Sequence, residues 1–232
     1  MRVLLVGHGR LGRAIEALCP AHGIEIAGIL DEVNNAGGCA LVEGRWKDVD
    51  VAIDASTPDA FVENFPKLLR LGFNLVVGTT GWQAHEARVR EAVEHAGIGA
   101  VVAPNFSIGA AVLDDLATRA VRLLAAQPDY SAWIHEAHHA AKLDAPSGTA
   151  LRLKRAMEAT GHVRPIDVSS TRAGFIPGTH MAGFEGRHES LAITHTVRDR
   201  AVFAEGAIAA ARWVHGRTGW FTMRDVLGLN NE

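Results

Sequence analysis

Only two cysteines, Cys19 and Cys39, occur in this chain. That excludes a disulfide framework and a four-thiolate zinc site, and it predicts both thiols as small buried apolar residues in a reducing compartment. Long apolar runs are missing as well. The opening MRVLLVGHGR offers a basic residue and VLLV before the first glycine, whereas a signal peptide needs a longer apolar stretch and a membrane helix a longer one still. Charge of one sign is lacking: Lys and Arg number 23 against 26 Asp and Glu, a formal net charge of −3. Neither nucleic acid nor an anionic membrane is therefore expected as a partner, and an anionic ligand has to be held by local groups. Internal repeats and low-complexity tracts are absent too. The remaining expectation is a cytoplasmic globular protein. Its 232 residues, 48% hydrophobic and 21% charged, suffice for one large α/β domain or two small ones around a real core.

The first hundred residues alternate short apolar runs with helical segments. VLLV (3–6), IEIAGIL (24–30), VAIDAS (51–56), FNLVVGTTG (73–81) and GIGAVVAPNFS (97–107) read as strands. Helices are expected over 10–18, 59–71 and 83–95. This β-α-β-α rhythm predicts a doubly wound parallel sheet of the Rossmann type. The second half changes character. A helix runs from about 108 to 126, SAWIHEAHH (131–139) and ESLAITHTV (189–197) alternate like strands with one covered face, and FAEGAIAAARWVHG (203–216) is a small-residue helix. The expected division is a dinucleotide-binding domain of 1–106 and 212–232, with a central α+β domain of 107–211 that carries an open mixed sheet.

G-H-G-R-L-G (7–12) follows directly on the first strand and opens a helix. Gly7 permits the tight turn, Gly9 lets the backbone approach a pyrophosphate, and Gly12 lets the helix lie close to the sheet. The free N–H groups of the helix start suit phosphates. Asp31 lies nineteen residues further on at the end of the second strand, where a carboxylate bonds ribose hydroxyls. A tight strand–helix turn without ligand is the alternative. Asp31 and Glu32 together repel a 2′-phosphate, so NADH is favoured over NADPH. G-T-T-G (78–81) and A-P-N-F-S (103–107) fall after parallel strands and are placed to border the nicotinamide end.

Residues 136–150 read E-A-H-H-A-A-K-L-D-A-P-S-G-T-A. A histidine suits proton donation near neutrality, and Lys142 supplies a fixed positive charge. Ser147 can cap the following helix, which leaves the Gly148 and Thr149 N–H groups and the Thr149 hydroxyl to receive a carboxylate. The set fits a small carboxylate-bearing substrate that accepts hydride. Strict alternation sends His138 and His139 to opposite faces unless the strand ends there. A metal reading would join His135, His138 and His139 to His180 or His195, but no H-E-x-x-H or cysteine pair supports it and no metal is expected.

That segment resembles the signature of the dihydrodipicolinate reductase family, whose members are also called 4-hydroxy-tetrahydrodipicolinate reductases. P-N-F-S-x-G (104–109), R-x-G-x-x-x-G-x-H (172–180), F-x-G-x-x-E-x-x-x-I-x-H (184–195), R-x-x-F-A-x-G-A (200–207) and F-x-M-R-D-V-L (221–227) follow in family order. The resemblance implies a Rossmann domain, a central domain that binds substrate and assembles a homotetramer, and reduction of a cyclic dicarboxylate to tetrahydrodipicolinate with NADH or NADPH in the diaminopimelate/lysine pathway. It makes His138 the proton donor and Lys142 a second donor that orients the ring, with His139, Lys142, Ser147, Gly148 and Thr149 on the dicarboxylate. Gly7, His8, Gly9, Arg10, Leu11 and Gly12 would hold the pyrophosphate, and Asp31 with Glu32 the ribose side. Gly78, Thr79, Thr80, Ala103, Pro104, Asn105 and Phe106 would line the nicotinamide side. The glycine loop is one residue shorter than in many members, and Ala140 and Ala141 replace polar residues common inside the histidine motif. Arg172 and Arg198 are expected as surface ion-pairing residues, and His195 as a core histidine. Another amino-acid-pathway dehydrogenase on the same scaffold, or a dinucleotide sensor without turnover, would share the glycine loop without needing the histidine–lysine set.

Overall fold

The computed structural model describes residues 1–160 and 164–230. The chain divides into two compact units, 1–107 with 201–232, and 108–200. The return to the first unit thus comes at Ala201 rather than at 212, because the whole small-residue helix belongs to the first sheet. Among the described residues no helix is long and apolar enough to cross a membrane.

The first unit is built on six parallel strands: β1 (Arg2–Val6), β2 (Glu25–Leu30), β3 (Val51–Asp54), β4 (Asn74–Val77), β5 (Gly99–Val102) and β10 (Gly219–Phe221), in the spatial order β10-β5-β4-β3-β1-β2. The apolar runs carry no polar alternation because both sheet faces are covered. On one face Leu4, Ala52, Leu75 and Val77 meet Phe61, Phe65 and Leu68 of α2 (Pro58–Leu71) and Val89 and Val93 of α3 (Glu86–Ala96). Against the other face lies α6 (Ala201–Val214), which packs on β3, β4 and β5 and on α1 (Arg10–Leu18). Close approach is what the small residues of α6 supply. A Cβ on Gly206 would sit 1.7 Å from the Phe106 carbonyl oxygen, and Ala204, Ala207, Ala210 and Ala211 are fully buried. Strand order reverses between β1 and β3, the crevice where open α/β sheets receive ligands. Cys19 is buried, but Cys39 sits exposed in the loop beyond β2, so it is not the buried apolar residue expected of it.

The second unit contains α4 (Ile108–Leu124), β6 (Ser131–His138), α5 (Gly148–Glu158), β7 (Asp167–Arg172), β8 (Thr179–Glu185) and β9 (Ser190–Thr196). Its mixed sheet runs β7-β6-β8-β9, with β7 parallel to β6 and the other pairs antiparallel. Leu113, Ala117 and Val121 of α4 and Leu153 and Met157 of α5 cover Ala132, Ile134, Ala182 and Phe184. Period-two alternation therefore sends Glu136 and His138 to the same covered face as Ile134. Trp133, His135 and Met181 lie on the opposite face, to which no helix of this unit packs among the described residues.

Candidate active site

The glycine loop shows three different constraints. Gly7 has φ +98°, and a Cβ there would meet the Ala55 carbonyl oxygen at 2.4 Å. A Cβ on Gly12 would lie 2.1 Å from the Gly7 oxygen, which is the close packing of helix on loop that position was expected to allow. Nothing lies within 4 Å of a Cβ on Gly9, so the protein itself does not demand glycine there. Gly9 caps α1 without any side-chain bond, which leaves first-turn amides for a ligand. Gly7 and Gly9 border a cavity of about 550 Å³ at the switch point, lined also by Asp31, Glu32 and Ser56. Asp31 Oδ1 accepts the amides of Val33 and Asn34 at 2.9 Å each, and these bonds hold its carboxyl below the usual range. Open space at Gly9, free helix amides and an ordered carboxylate fit the pyrophosphate and ribose of a dinucleotide.

Not every expected residue faces that cavity. His8 does, with its Nε2 2.7 Å from Glu16 Oε2. Arg13, whose Nε donates to the His8 carbonyl at 3.2 Å, lines the cavity, whereas Arg10 is exposed outside it. Leu11 turns toward the next loops: a Cβ on Gly78 would lie 3.1 Å from Leu11 Cδ2 and 3.2 Å from Phe106 Cε2. Leu11, Gly78 and Phe106 thus gather beyond the strand ends. Ala103 and Phe106 are buried, Pro104 and Thr80 are exposed, and Asn105 Oδ1 accepts the Ser107 amide at 2.8 Å. Thr79 is buried with its hydroxyl donating to Asp54 Oδ1 at 2.5 Å, so only its main chain is left for a ligand.

Asp54 was not singled out from the sequence. Burial pushes its carboxyl up to about 6, against the lowering hydrogen bonds of Thr79 and Ser56. Oδ2 is buried and accepts no hydrogen bond among the described residues. The available signal was a carboxylate closing an otherwise apolar strand run.

In the second unit β6 ends at His138, so the alternation stops before His139, which is half-buried in the turn that follows. Glu136 is fully buried. Its Oε2 accepts from Arg172 Nη1 at 2.9 Å and hydrogen-bonds His138 Nδ1; its Oε1 accepts from Arg172 Nη2 at 2.6 Å and the Ser147 amide at 3.2 Å. Burial opposes ionisation of Glu136, but the bonds from Arg172, Ser170 and His138 outweigh it and bring the carboxyl to about 2. His138 is held below its ordinary value, first by burial, with Glu136 acting the other way. The His180 ring packs edge-on against it, centroids 5.1 Å apart, and burial lowers His180 to about 4.

Ser147 caps α5 by accepting the Ala150 amide at 3.1 Å, and its hydroxyl also contacts His180 Nε2 at 2.9 Å. Its side chain is thus turned inward and serves a ligand only through the helix end it stabilises. Gly148 is exposed and Thr149 half-exposed at that end. Lys142 Nζ donates to Asp144 Oδ1 at 2.6 Å, and the Gly148 amide donates to Asp144 Oδ2 at 3.3 Å. One intramolecular carboxylate therefore bridges the cation and the helix amide expected to receive a substrate carboxylate. Arg172 is no surface residue: the parallel register of β7 on β6 sets it beside His138 and under Glu136. Arg198 is exposed, and His195 packs against Gly109 of α4. Among the described residues Glu136, His138 and His180 place ligand atoms within 4.8 Å of one another. The guanidinium already fills the cationic position, so the donor set does not fit a metal. His135 instead bonds Ser169 Oγ at 2.8 Å on the opposite face.

Comparison with known proteins decides the family. Residues 1–106 match the model of the dihydrodipicolinate reductase N-terminus and residues 109–227 that of its C-terminus. The chain belongs to the dihydrodipicolinate reductase family. It is 34% identical over 239 residues to the 4-hydroxy-tetrahydrodipicolinate reductase of Christiangramia forsetii, covering 98% of each chain. The Laribacter hongkongensis 4-hydroxy-tetrahydrodipicolinate reductase is 35% identical over 267 residues, with 99% of this chain and 98% of that one covered. Among solved structures, the dipicolinate-bound dihydrodipicolinate reductase of Paenisporosarcina sp. TG-14 shares the fold with TM-score 0.80 and 23% identity, over 96% of this chain and 97% of that one. The family match extends through both units, so the glycine loop and the His138 cluster both lie within it.

Proposed function

We propose that this reductase-family chain converts 4-hydroxy-tetrahydrodipicolinate to tetrahydrodipicolinate in diaminopimelate and lysine biosynthesis, using NADH in preference to NADPH. The observation that carries the reading is the cluster in which a buried, carboxylate-bonded His138 stands in one short segment with Lys142 and the capped end of α5. A bound reduced nicotinamide supplies the hydride. Gly7, His8, Gly9 and the α1 amides receive the pyrophosphate, Asp31 the adenosine ribose, and the Gly78–Thr80 and Ala103–Phe106 loops the nicotinamide side. His139, Lys142 and the Gly148 and Thr149 amides hold the two carboxylates. Lys142 also orients the ring. His138 then delivers from its imidazolium the proton that the ring needs once hydride has arrived, and it recovers a proton from solvent afterwards.

The cofactor preference rests on charge. Asp31, Glu32, Asp59 and Glu63 line the cavity against one arginine, Arg13, among the described residues, and a 2′-phosphate placed there meets repulsion. The sheet face around Trp133 and Met181, on which no helix of the second unit packs among the described residues, supports assembly as a homotetramer through that sheet, and the same reading places the enzyme in the cytoplasm. The test is to supply freshly made condensation product of pyruvate and aspartate semialdehyde and to follow consumption of NADH and NADPH separately. Turnover with NADH ahead of NADPH is expected. Binding of NADH without turnover would leave only a sensor, and turnover of a different imino or aldehyde substrate alone would leave another dehydrogenase.

A further inference from the structure

We propose that Glu136, itself clamped by Arg172, is a positioning residue that fixes the tautomer and ring orientation of His138 for proton delivery; this deepens the function proposed above and rests on it. An ionised carboxylate has no hydrogen to give, so in the Glu136–His138 bond the hydrogen belongs to Nδ1 of the imidazole. Nε2 is then the nitrogen that gains and loses the catalytic proton. Space is kept around it: Gly178 has φ +150°, and a Cβ there would lie 3.2 Å from Nε2. Arg172 makes the arrangement rigid. Its two bonds to Glu136 come from a neighbouring strand, and a third, from Nη2 to the Asp144 carbonyl at 2.5 Å, ties in the loop that carries Lys142.

The charged and titratable groups facing His138 come from every element packed on it. Glu136 comes from β6, Arg172 from β7, Lys142 from the following loop and His180 from β8. Glu136 favours the imidazolium, while Lys142 and Arg172 oppose it. His180, lowered to about 4, adds no charge near neutrality. Loss of the Glu136 charge therefore leaves two cations acting on His138 without opposition.

A purely structural ion pair between β6 and β7 would affect stability and leave the pH profile alone, which separates the two roles. In Glu136→Gln, kcat should fall about 10- to 100-fold while substrate KM and NADH Kd stay within about twofold. The limb on which kcat falls with rising pH should move to lower pH, because the proton donor is harder to protonate. The full-length wild-type protein gives a second measurement that needs no variant to fold: nitrogen-15 NMR of labelled histidines, with His138 assigned from the His138→Gln spectrum. Above its titration, His138 should show the Nδ1–H form. An Nε2–H form in the wild type, or an unaltered pH profile in Glu136→Gln, overturns the proposal. Failure of the wild type to reduce the dicarboxylate would overturn the functional reading instead, and the NMR result would still decide the role of Glu136.

Discussion

Asp144 engages both donors proposed to receive a substrate carboxylate, and removing its charge should tighten substrate binding. Lys142 Nζ and the Gly148 amide both donate to Asp144, and the lysine bond holds the Asp144 carboxyl below the usual range, so it is ionised at any working pH. In the proposed binding mode a substrate carboxylate must displace it. The Lys142–Asp144 side chains are 23% and 57% exposed, and an ion pair of that exposure is worth about 0.2–1 kcal/mol. The amide contact, long at 3.3 Å, is replaced by an equivalent one to the substrate and largely cancels. The net competition is thus up to about 1 kcal/mol, roughly a fivefold change in affinity. In Asp144→Asn the side-chain oxygen can still cap the Gly148 amide, and the loop backbone stays anchored through Arg172 and the Asp144 carbonyl.

The assay is steady-state KM for the dicarboxylate in wild type and Asp144→Asn, at low and at high salt. KM should fall about two- to fivefold in the variant at low salt, and the gap should shrink as salt screens the pair. A KM that rises, or a kcat that drops more than about tenfold, would refute the reasoning: Asp144 would then be aligning Lys142 rather than competing for it.

Three further outcomes follow from other parts of the molecule. Asp54 has a folded-state pKa of about 6 against an ordinary 3.8, so its contribution is intact below 3.8 and lost as pH rises through 6; the thermal midpoint of Asp54→Asn should gain on wild type between pH 4 and pH 7 by the equivalent of roughly 2–3 kcal/mol before any cost of the buried amide. Gly206→Ala pushes a methyl to 1.7 Å from the Phe106 oxygen, a clash that repacking of α6 must relieve at about 1–3 kcal/mol, read as a lower denaturation midpoint. Glu32→Arg should shift the ratio of NADPH to NADH efficiency upward by about tenfold, corresponding to roughly 1.4 kcal/mol of removed repulsion and added attraction, and an unchanged ratio would locate cofactor choice elsewhere.

Legibility from sequence followed the range of the physical signal. The apolar runs of β1, β3, β4 and β5 and the glycine loop were readable because burial on both faces and steric demand at Gly7 and Gly12 are local properties. DVSSTR carries no such signal: most of β7 is exposed, so neither periodicity nor hydrophobicity marks it as a strand. Missing that strand hid the true position of Arg172, which depends on the pairing of His138 with Arg172, 34 positions further along the chain. The helix cap at Ser147 was readable, but the inward turn of its hydroxyl toward His180 was not, since the partner arrives on β8. The domain boundary was misjudged at α6 for the same reason: its small residues announce close packing without saying against which sheet.

The Glu136–Arg172 pair is a poor device for stability alone. Taking both charges out of water costs several kcal/mol per ion, and apolar residues of similar volume often hold a core equally well. Such a replacement would leave His138 Nδ1 buried without an acceptor, the Ser147 amide without Glu136, and the Asp144 carbonyl without its guanidinium. Each of those three groups belongs to the proposed proton-delivery and anion-binding set, and they fan out from one carboxylate and one guanidinium. The pair also solves an electrostatic problem posed by the whole chain. With a formal net charge of −3 no long-range field draws in a dianion, so the site must be attractive locally without carrying uncompensated charge when empty. Glu136 neutralises Arg172 and Asp144 neutralises Lys142, which leaves a nearly neutral resting cluster. In the proposed binding mode an arriving dicarboxylate displaces only the exposed member, Asp144, and so meets Lys142 and the α5 amides while the buried pair keeps His138 aligned.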